Sequence, residues 1–276
     1  MKIDAHQHFW KLDRGDYDWL TPELAPIFCD FAPSDLLPLL KQQGIDGTIV
    51  VQATDTEAET EYLLSLARDN DWILGVVGWV DMEAKSAPGS IAKFAKNPKF
   101  VGIRPMIQGL EDESWMLRPS LTPAITALIE HELCFDALVL PHHLEYLSQF
   151  LEIYPDLPVV IDHCAKPEIR SGEFQPWADQ IQSIADNSNT MCKLSGLVTE
   201  ANIGWVAEDI IPYATHILKC FGPDRVMFGS DWPVLNLAGN YGDWLRLVET
   251  LCSDFSTVSK TAIFGENASR FYLPKD

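Results

Sequence analysis

The chain has 276 residues, 47% of them hydrophobic, and carries 20 Lys and Arg against 40 Asp and Glu, a formal net charge of −20. That apolar content supports a substantial core and speaks against disorder, while the charge repels phosphate backbones and speaks against nucleic acid as a partner. No apolar run reaches the ~18 residues of a membrane span, and the first residues lack the basic and apolar regions of a secretion signal. The six cysteines, Cys29, Cys134, Cys164, Cys192, Cys220 and Cys252, form no Cys-x-x-Cys pair. They read as free, buried thiols, which makes a reducing cytoplasm the expected compartment.

In chain order, Lys2 to His6 reads as a first strand. Ile3 and Ala5 fall on one side and His6 and His8 on the other, by alternation. A long loop rich in aromatics follows, from Phe9 to Pro33, of the kind that is usually functional. Ser34 is placed to cap a helix that buries Leu36, Leu39 and Leu40 and ends at Gly44. Thr48 to Gln52 is a β-branched second strand. Thr56 and Glu59 have capping-box spacing for a helix through Leu63, Leu66 and Ala67. Trp72 to Val80 is the third strand, Pro88 and Pro98 bracket a short helix, and Phe100 to Arg104 is the fourth strand.

Thr122 to Glu132 reads as a helix and Cys134 to Leu140 as the fifth strand. Leu147, Phe150, Leu151 and Tyr154 recur on one helical face. Val159 to His163 is the sixth strand, Phe174 to Asn187 helical, and Met191 to Leu194 the seventh strand. Glu200 to Phe221 is a helical stretch with a break expected at Pro212. Arg225 to Gly229 is the eighth strand and Tyr241 to Leu273 a C-terminal helix. Eight continuously apolar strands alternating with helices predict a (β/α)8 barrel formed by residues 1–276 as a single α/β domain. A doubly wound open sheet would want a Gly-rich phosphate turn after the first strand, which is absent.

A barrel carries its active site at the C-terminal ends of its strands. Those ends bear His6 and His8, Gln52, Trp79 and Asp81, Arg104, His142 and His143, His163, Lys193 and Ser195, and Asp231. His163 and Asp231 each close an apolar run at the same mouth as His6 and His8, and paired imidazoles can converge on zinc, iron or manganese. Other positions have plainer readings. Arg104 could pair with a nearby carboxylate, His142 and His143 fit an exposed helix start after Pro141, and Lys193 could point outward to the helices. Cys164 reads as packing beside the site, not as a nucleophile.

Four motifs, Asp-Ala-His-Gln-His-Phe-Trp at 4–10, Asp-His-Cys-Ala-Lys-Pro at 162–167, Lys-Leu-Ser-Gly-Leu-Val-Thr-Glu-Ala at 193–201 and Phe-Gly-Ser-Asp-Trp-Pro-Val at 228–234, together resemble one family. It is the amidohydrolase-2 branch of the amidohydrolase superfamily, and within it the sugar-lactone hydrolases of the L-fuconolactonase and L-rhamnonolactonase type. The resemblance implies His6, His8, His163 and Asp231 as the metal-ligand positions, and Arg104 as a contact to the substrate carbonyl or carboxylate. Arg104 stands where binuclear members carry a bridging ligand, and a permanent cation cannot ligate metal. At most one divalent ion is then expected, zinc first, and some lactonases of the branch work with none.

The expected reaction is hydrolysis of a sugar lactone to the aldonic acid. Asp231 would be general base on water, with Arg104 and His163 polarising the carbonyl. Trp10, Gln52, Trp79, Lys166 and Trp232 are the candidate sugar-pocket lining, with core packing the plainer reading of the tryptophans. The alternative activity is a divalent-metal-dependent decarboxylase of an unsaturated or aromatic acid, and a third reading is a catalytically silent binder.

Overall fold

A computed structural model describes residues 1–273. Eight parallel strands form one sheet in sequence order: β1 (Ile3–Gln7), β2 (Gly47–Val51), β3 (Ile73–Gly78), β4 (Phe100–Ile103), β5 (Cys134–Ala137), β6 (Val159–Ile161), β7 (Met191–Leu194) and β8 (Val226–Phe228). The helices between and after them are α1 (Pro33–Gln43), α2 (Glu57–Asp69), α3 (Ala87–Phe94), α4 (Thr122–Glu130), α5 (Leu144–Ile153), α6 (Trp177–Asn187), α7 (Ala207–Phe221), α8 (Tyr241–Leu251), α9 (Thr257–Thr261) and α10 (Asn267–Tyr272). This is the expected (β/α)8 barrel. No helix among the described residues is long and apolar enough to cross a membrane.

The strands read as apolar runs because both faces are covered. One cluster draws Ile3, Ala5, Ile49, Val51, Val77, Val101, Cys134, Val160, Met191 and Met227 from all eight strands and fills the barrel interior. A larger cluster joins the outer faces to the helices. Ala268 and Tyr272 of α10 belong to the interior set, so the C-terminal helix plugs the barrel's floor. The barrel closes at the C-terminal ends of its first and last strands. The amide of His8 donates to the Trp232 carbonyl at 2.7 Å, and that of Asp231 donates to the His6 carbonyl at 2.8 Å.

Several local expectations are corrected. Strands β3, β5 and β6 stop two to three residues earlier than the apolar runs suggest, because the backbone turns into the site loops there. Helix α1 starts at Pro33, with the Asp35 carboxylate accepting from the Ala32 amide at 2.8 Å, so Ser34 is not its cap. Thr56 does cap α2, accepting from the Glu59 amide, but Glu59 turns away to the Ala53 amide and the Tyr17 hydroxyl. Pro212 lies inside α7, which continues past it. Tyr241 to Leu273 is three helices with a π-turn at Ala262–Glu266, not one. Five cysteines are buried as expected, but Cys29 is exposed, and all six are free.

Candidate active site

The first strand does not simply alternate. Asp4 is paired with Thr48 and Gln7 with Val50, so β1 carries one extra residue between them. This bulge turns Ala5 and His6 both inward, which corrects the expectation that they face opposite sides. Asp4 points out instead, accepting from the Ser230 amide and from the Tyr241 hydroxyl on α8. His8 resumes the inward direction.

Below the histidines lies a layer of buried charge. Lys193 is fully buried and points into the barrel, not outward to the helices. Alternation from Met191, an interior residue, requires that direction. Its Nζ lies 2.5 Å from Asp136 Oδ2, 3.0 Å from Asp162 Oδ1 and 3.1 Å from His6 Nδ1. The Tyr272 hydroxyl donates to Asp136 from below at 2.9 Å. Arg104 places Nη1 3.5 Å from Asp162 Oδ2 and 3.4 Å from His6 Nε2, while its Nη2 donates to the Gln52 carbonyl. Burial works against charge on Asp162, but Lys193 and Arg104 hold its carboxyl below the ordinary carboxylate range.

Above that layer, Oδ1 of Asp231 faces three imidazoles, at 3.3 Å from Nε2 of His8, 3.8 Å from Nε2 of His163 and 3.9 Å from Nε2 of His6. Burial, chiefly, pushes all three histidines below their ordinary range, His6 and His163 well below it. They are therefore neutral near pH 7. Burial opposes charge on Asp231 too, yet His163, His8 and Lys166 around it hold it below the usual carboxylate range, so it stays ionised. His8 Nδ1 sits 2.7 Å from the Val51 carbonyl, which can only accept. Neutral His8 thus carries its proton there and turns a lone pair at Nε2 toward Asp231.

The backbone holding these groups is strained. His163, Cys164, Ala165 and Lys166 all lie in the left-handed region, with φ of 50°, 56°, 59° and 47°, and Asp231 joins them at 57°. Each such non-glycine residue costs about 1–2 kcal/mol, and such strain gathers at functional sites. The left-handed turn is why β6 ends at Ile161 and His163 swings over the mouth. Gly196 makes room for it: a Cβ there would meet the His163 ring at 2.6 Å. Nδ1 of His163 is hydrogen-bonded to the Ser195 hydroxyl at 2.9 Å.

The other candidate residues divide. Gln52 is buried and spends its amide N–H on the Arg104 carbonyl at 2.7 Å, while its Oε1 has no partner. Lys166 and Trp79 are half-buried beyond β6 and β3, with Lys166 Nζ 3.8 Å from Glu200 Oε1. Trp10 is fully buried, packs edge-on against Trp19 and Phe31, and donates to the Cys29 carbonyl. Trp232 packs edge-on against Phe9 and Phe31. These two are in packing, not turned to a polyol pocket. Asp81 is exposed and accepts from the Glu83 amide, away from the site. His142 is exposed as expected, but His143 is buried, its Nδ1 accepting from the Leu140 amide at 3.0 Å.

Sequence reasoning passed over Asp136, Asp162, Tyr272 and Glu200. A lone acid inside an apolar strand, as at Asp136, was the available signal. Glu200 lies at the mouth, and burial raises its carboxyl above the usual range against the pull of Lys166.

His6, His163 and Asp231 each bring one donor atom within 4.8 Å of the others, all buried. Two neutral imidazoles and an ionised carboxylate suit a single divalent cation such as zinc. His8 is outside that trio. Asp136 and Asp162 balance Lys193 and Arg104 in the layer below, so Asp231 leaves the whole cluster one charge negative, which also admits one cation.

The amidohydrolase family profile matches residues 3–273. The chain is 45% identical to the L-fucono-1,5-lactonase of Burkholderia ambifaria over 275 residues, 98% of this chain and 95% of that one. It is 33% identical to the L-fucono-1,5-lactonase of Burkholderia multivorans over 292 residues, covering 100% and 97%. The crystal structure of a Burkholderia multivorans amidohydrolase with bound zinc superposes with a TM-score of 0.93 at 34% identity, over 99% of this chain and all of that one. On profile, sequence and architecture together, the chain belongs to the amidohydrolase family.

Proposed function

We propose that the protein hydrolyses a six-membered L-sugar lactone of the L-fucono-1,5-lactone kind to the open aldonic acid. The observation that carries this reading is one buried carboxylate oxygen of Asp231 within 3.9 Å of three imidazole nitrogens, beside the buried guanidinium of Arg104. Full-length kinship to two L-fucono-1,5-lactonases gives the substrate class. We further place the enzyme in a reducing cytoplasm, where its six free thiols persist.

A lactone is a cyclic ester. Its hydrolysis needs a deprotonated water, a home for the tetrahedral oxyanion and a proton for the departing ring oxygen. Asp231 takes the water proton, since a carboxylate held ionised by its neighbours is available as a base. The hydroxide adds to the carbonyl carbon, and Arg104 and His163 receive the charge that develops on the carbonyl oxygen. One such contact is worth about 3 kcal/mol. The ring C–O bond then breaks and the alkoxide takes back the proton from Asp231. The lone pair of His8 at 3.3 Å gives that proton a partner while Asp231 holds it. A divalent ion held by His6, His163 and Asp231 would add Lewis-acid polarisation of the carbonyl. Gln52, Trp79 and Lys166, with Glu200, are the groups left to meet the sugar hydroxyls.

The test is a pH-indicator hydrolysis assay over L- and D-aldonolactones, on protein as purified and after chelation. Rapid turnover of L-fucono-1,5-lactone is the expected result. Turnover that survives chelation assigns the chemistry to the side chains alone, and turnover lost on chelation makes the trio metal ligands. No hydrolysis of any lactone overturns the reading and returns the decarboxylase alternative.

A further inference from the structure

We infer that Lys193 is a positioning residue that fixes the tautomer of His6 and thereby sets how readily the site takes up a metal ion. An ammonium can only donate, and Lys193 Nζ lies 3.1 Å from His6 Nδ1. Nδ1 of His6 must therefore carry the lone pair, and neutral His6 must carry its proton on Nε2. At the opposite end of the ring Arg104 Nη1, also only a donor, lies farther off, 3.4 Å from Nε2, so the closer contacts of Lys193 and His8 decide the assignment. His6 Nε2 lies 3.1 Å from His8 Nε2. His8 has committed its own proton to the Val51 carbonyl, so the contact between the two rings is made by His6 donating. A single directed chain results: Lys193 to His6, His6 to His8, His8 to Val51.

In that wiring His6 turns an N–H, not a lone pair, toward Asp231 and the substrate. It offers a hydrogen-bond donor for a developing oxyanion. It cannot ligate a cation through Nε2 until its proton moves to Nδ1. The structure holds the acceptor for that second wiring. Asp162 Oδ1 lies 3.3 Å from His6 Nδ1, with Lys193 Nζ at 3.0 Å from the same oxygen. Lys193 selects between the two. It is held in place by Asp136 and Asp162, and Asp136 is held by Tyr272 of the floor-plugging helix. The fold thus reaches from its last helix to the first histidine through one buried lysine. Orientation of a ligand imidazole by the partner of its other nitrogen is a general control on metal affinity.

The inference rests on the reading of this cluster as the reaction centre, but its test uses no substrate, so the two fail separately. Metal-free protein labelled with 15N at histidine is measured by NMR, with His6 assigned from its loss in His6→Asn. The expected spectrum shows His6 protonated at Nε2 and unprotonated at Nδ1. A His6 ring protonated at Nδ1 overturns the inference with no variant needed. Zinc binding is then measured by calorimetry on the parent and on Lys193→Met/Asp136→Asn, which removes donor and counter-charge together to preserve the fold. The double variant should bind zinc about 10–100-fold more tightly, in line with the usual weight of a ligand's outer partner, and its His6 should show the Nδ1 proton. Unchanged affinity in a folded double variant overturns the inference. If that variant does not fold, the parent spectrum alone decides it.

Discussion

Oδ1 of Asp231 stands 3.3 Å from Nε2 of His8, and neither atom carries a proton of its own. Two acceptors at that separation repel unless a proton, a water or a cation lies between them. On the proposed mechanism the pair is a receptacle for the proton that ester hydrolysis generates. Asp231→Asn fills it permanently with an N–H and removes the base. kcat should fall by about 10²–10⁴-fold, with the circular dichroism spectrum unchanged. Undiminished hydrolysis in the variant would remove Asp231 from the role.

On the proposed mechanism Arg104 serves both substrate and framework. Arg104→Met takes a cation from beside Asp162 and a donor from the site. Loss of one such donor costs about 10²–10³ in turnover, and breaking a buried charge pair costs about 3–5 kcal/mol of stability. Steady-state kinetics and urea melts separate the two. A normal kcat/KM with reduced stability would make Arg104 structural only.

Gly196 has φ of +67°, and a Cβ there would lie 2.6 Å from the His163 ring. Gly196→Ala should displace His163, lower kcat about tenfold or more, and cost about 1–3 kcal/mol in backbone strain. Gly89→Ala in α3, where a Cβ meets nothing within 4 Å, is the control. It should leave activity intact and add about 0.5–1 kcal/mol.

Glu59 holds the long loop after β1 to α2. It accepts from the Tyr17 hydroxyl at 2.6 Å and the Ala53 amide at 3.2 Å, with Arg14 Nη2 at 3.4 Å and Asp16 nearby. Burial raises its carboxyl from 4.5 to about 7. The unfolded chain then loses this proton near pH 4.5 while the folded chain keeps it to about 7, so the contribution to stability is complete below pH 4.5 and is lost as pH rises to about 7. Glu59→Gln stays neutral. It should match the parent below that window and exceed it by up to about 3 kcal/mol above it. Urea midpoints across pH 4 to 8 would show this, and parallel profiles for the two proteins would contradict it.

Trp10 should act through packing. Trp10→Phe leaves the Cys29 carbonyl without its donor and should cost about 1–3 kcal/mol, with KM for the lactone unchanged. A raised KM at unchanged stability would return Trp10 to the sugar pocket.

The eight strands, their order and the end of the barrel where the candidate site gathers were legible in the sequence. Each depends on local pattern. An apolar run bounded by turn residues has one economical place in a barrel, and a polar residue closing such a run lies at its mouth. His6, His8, Arg104, His163 and Asp231 were visible for that reason. Direction and pairing were not. The bulge that turns Ala5 and His6 to the same side comes from the register of β1 on β2. The inward Lys193 is held by Asp136 and Asp162 from two other strands and by Tyr272 of α10 beneath them. The left-handed path that brings His163 over the mouth requires the empty space at Gly196. Composition and periodicity therefore determined the architecture and brought His6, His8, Arg104, His163 and Asp231 to one end of it. Only the tertiary structure decided which groups touch, and so which nitrogen holds a proton, because hydrogen bonds across a closed barrel join residues as far apart as His6 and Lys193.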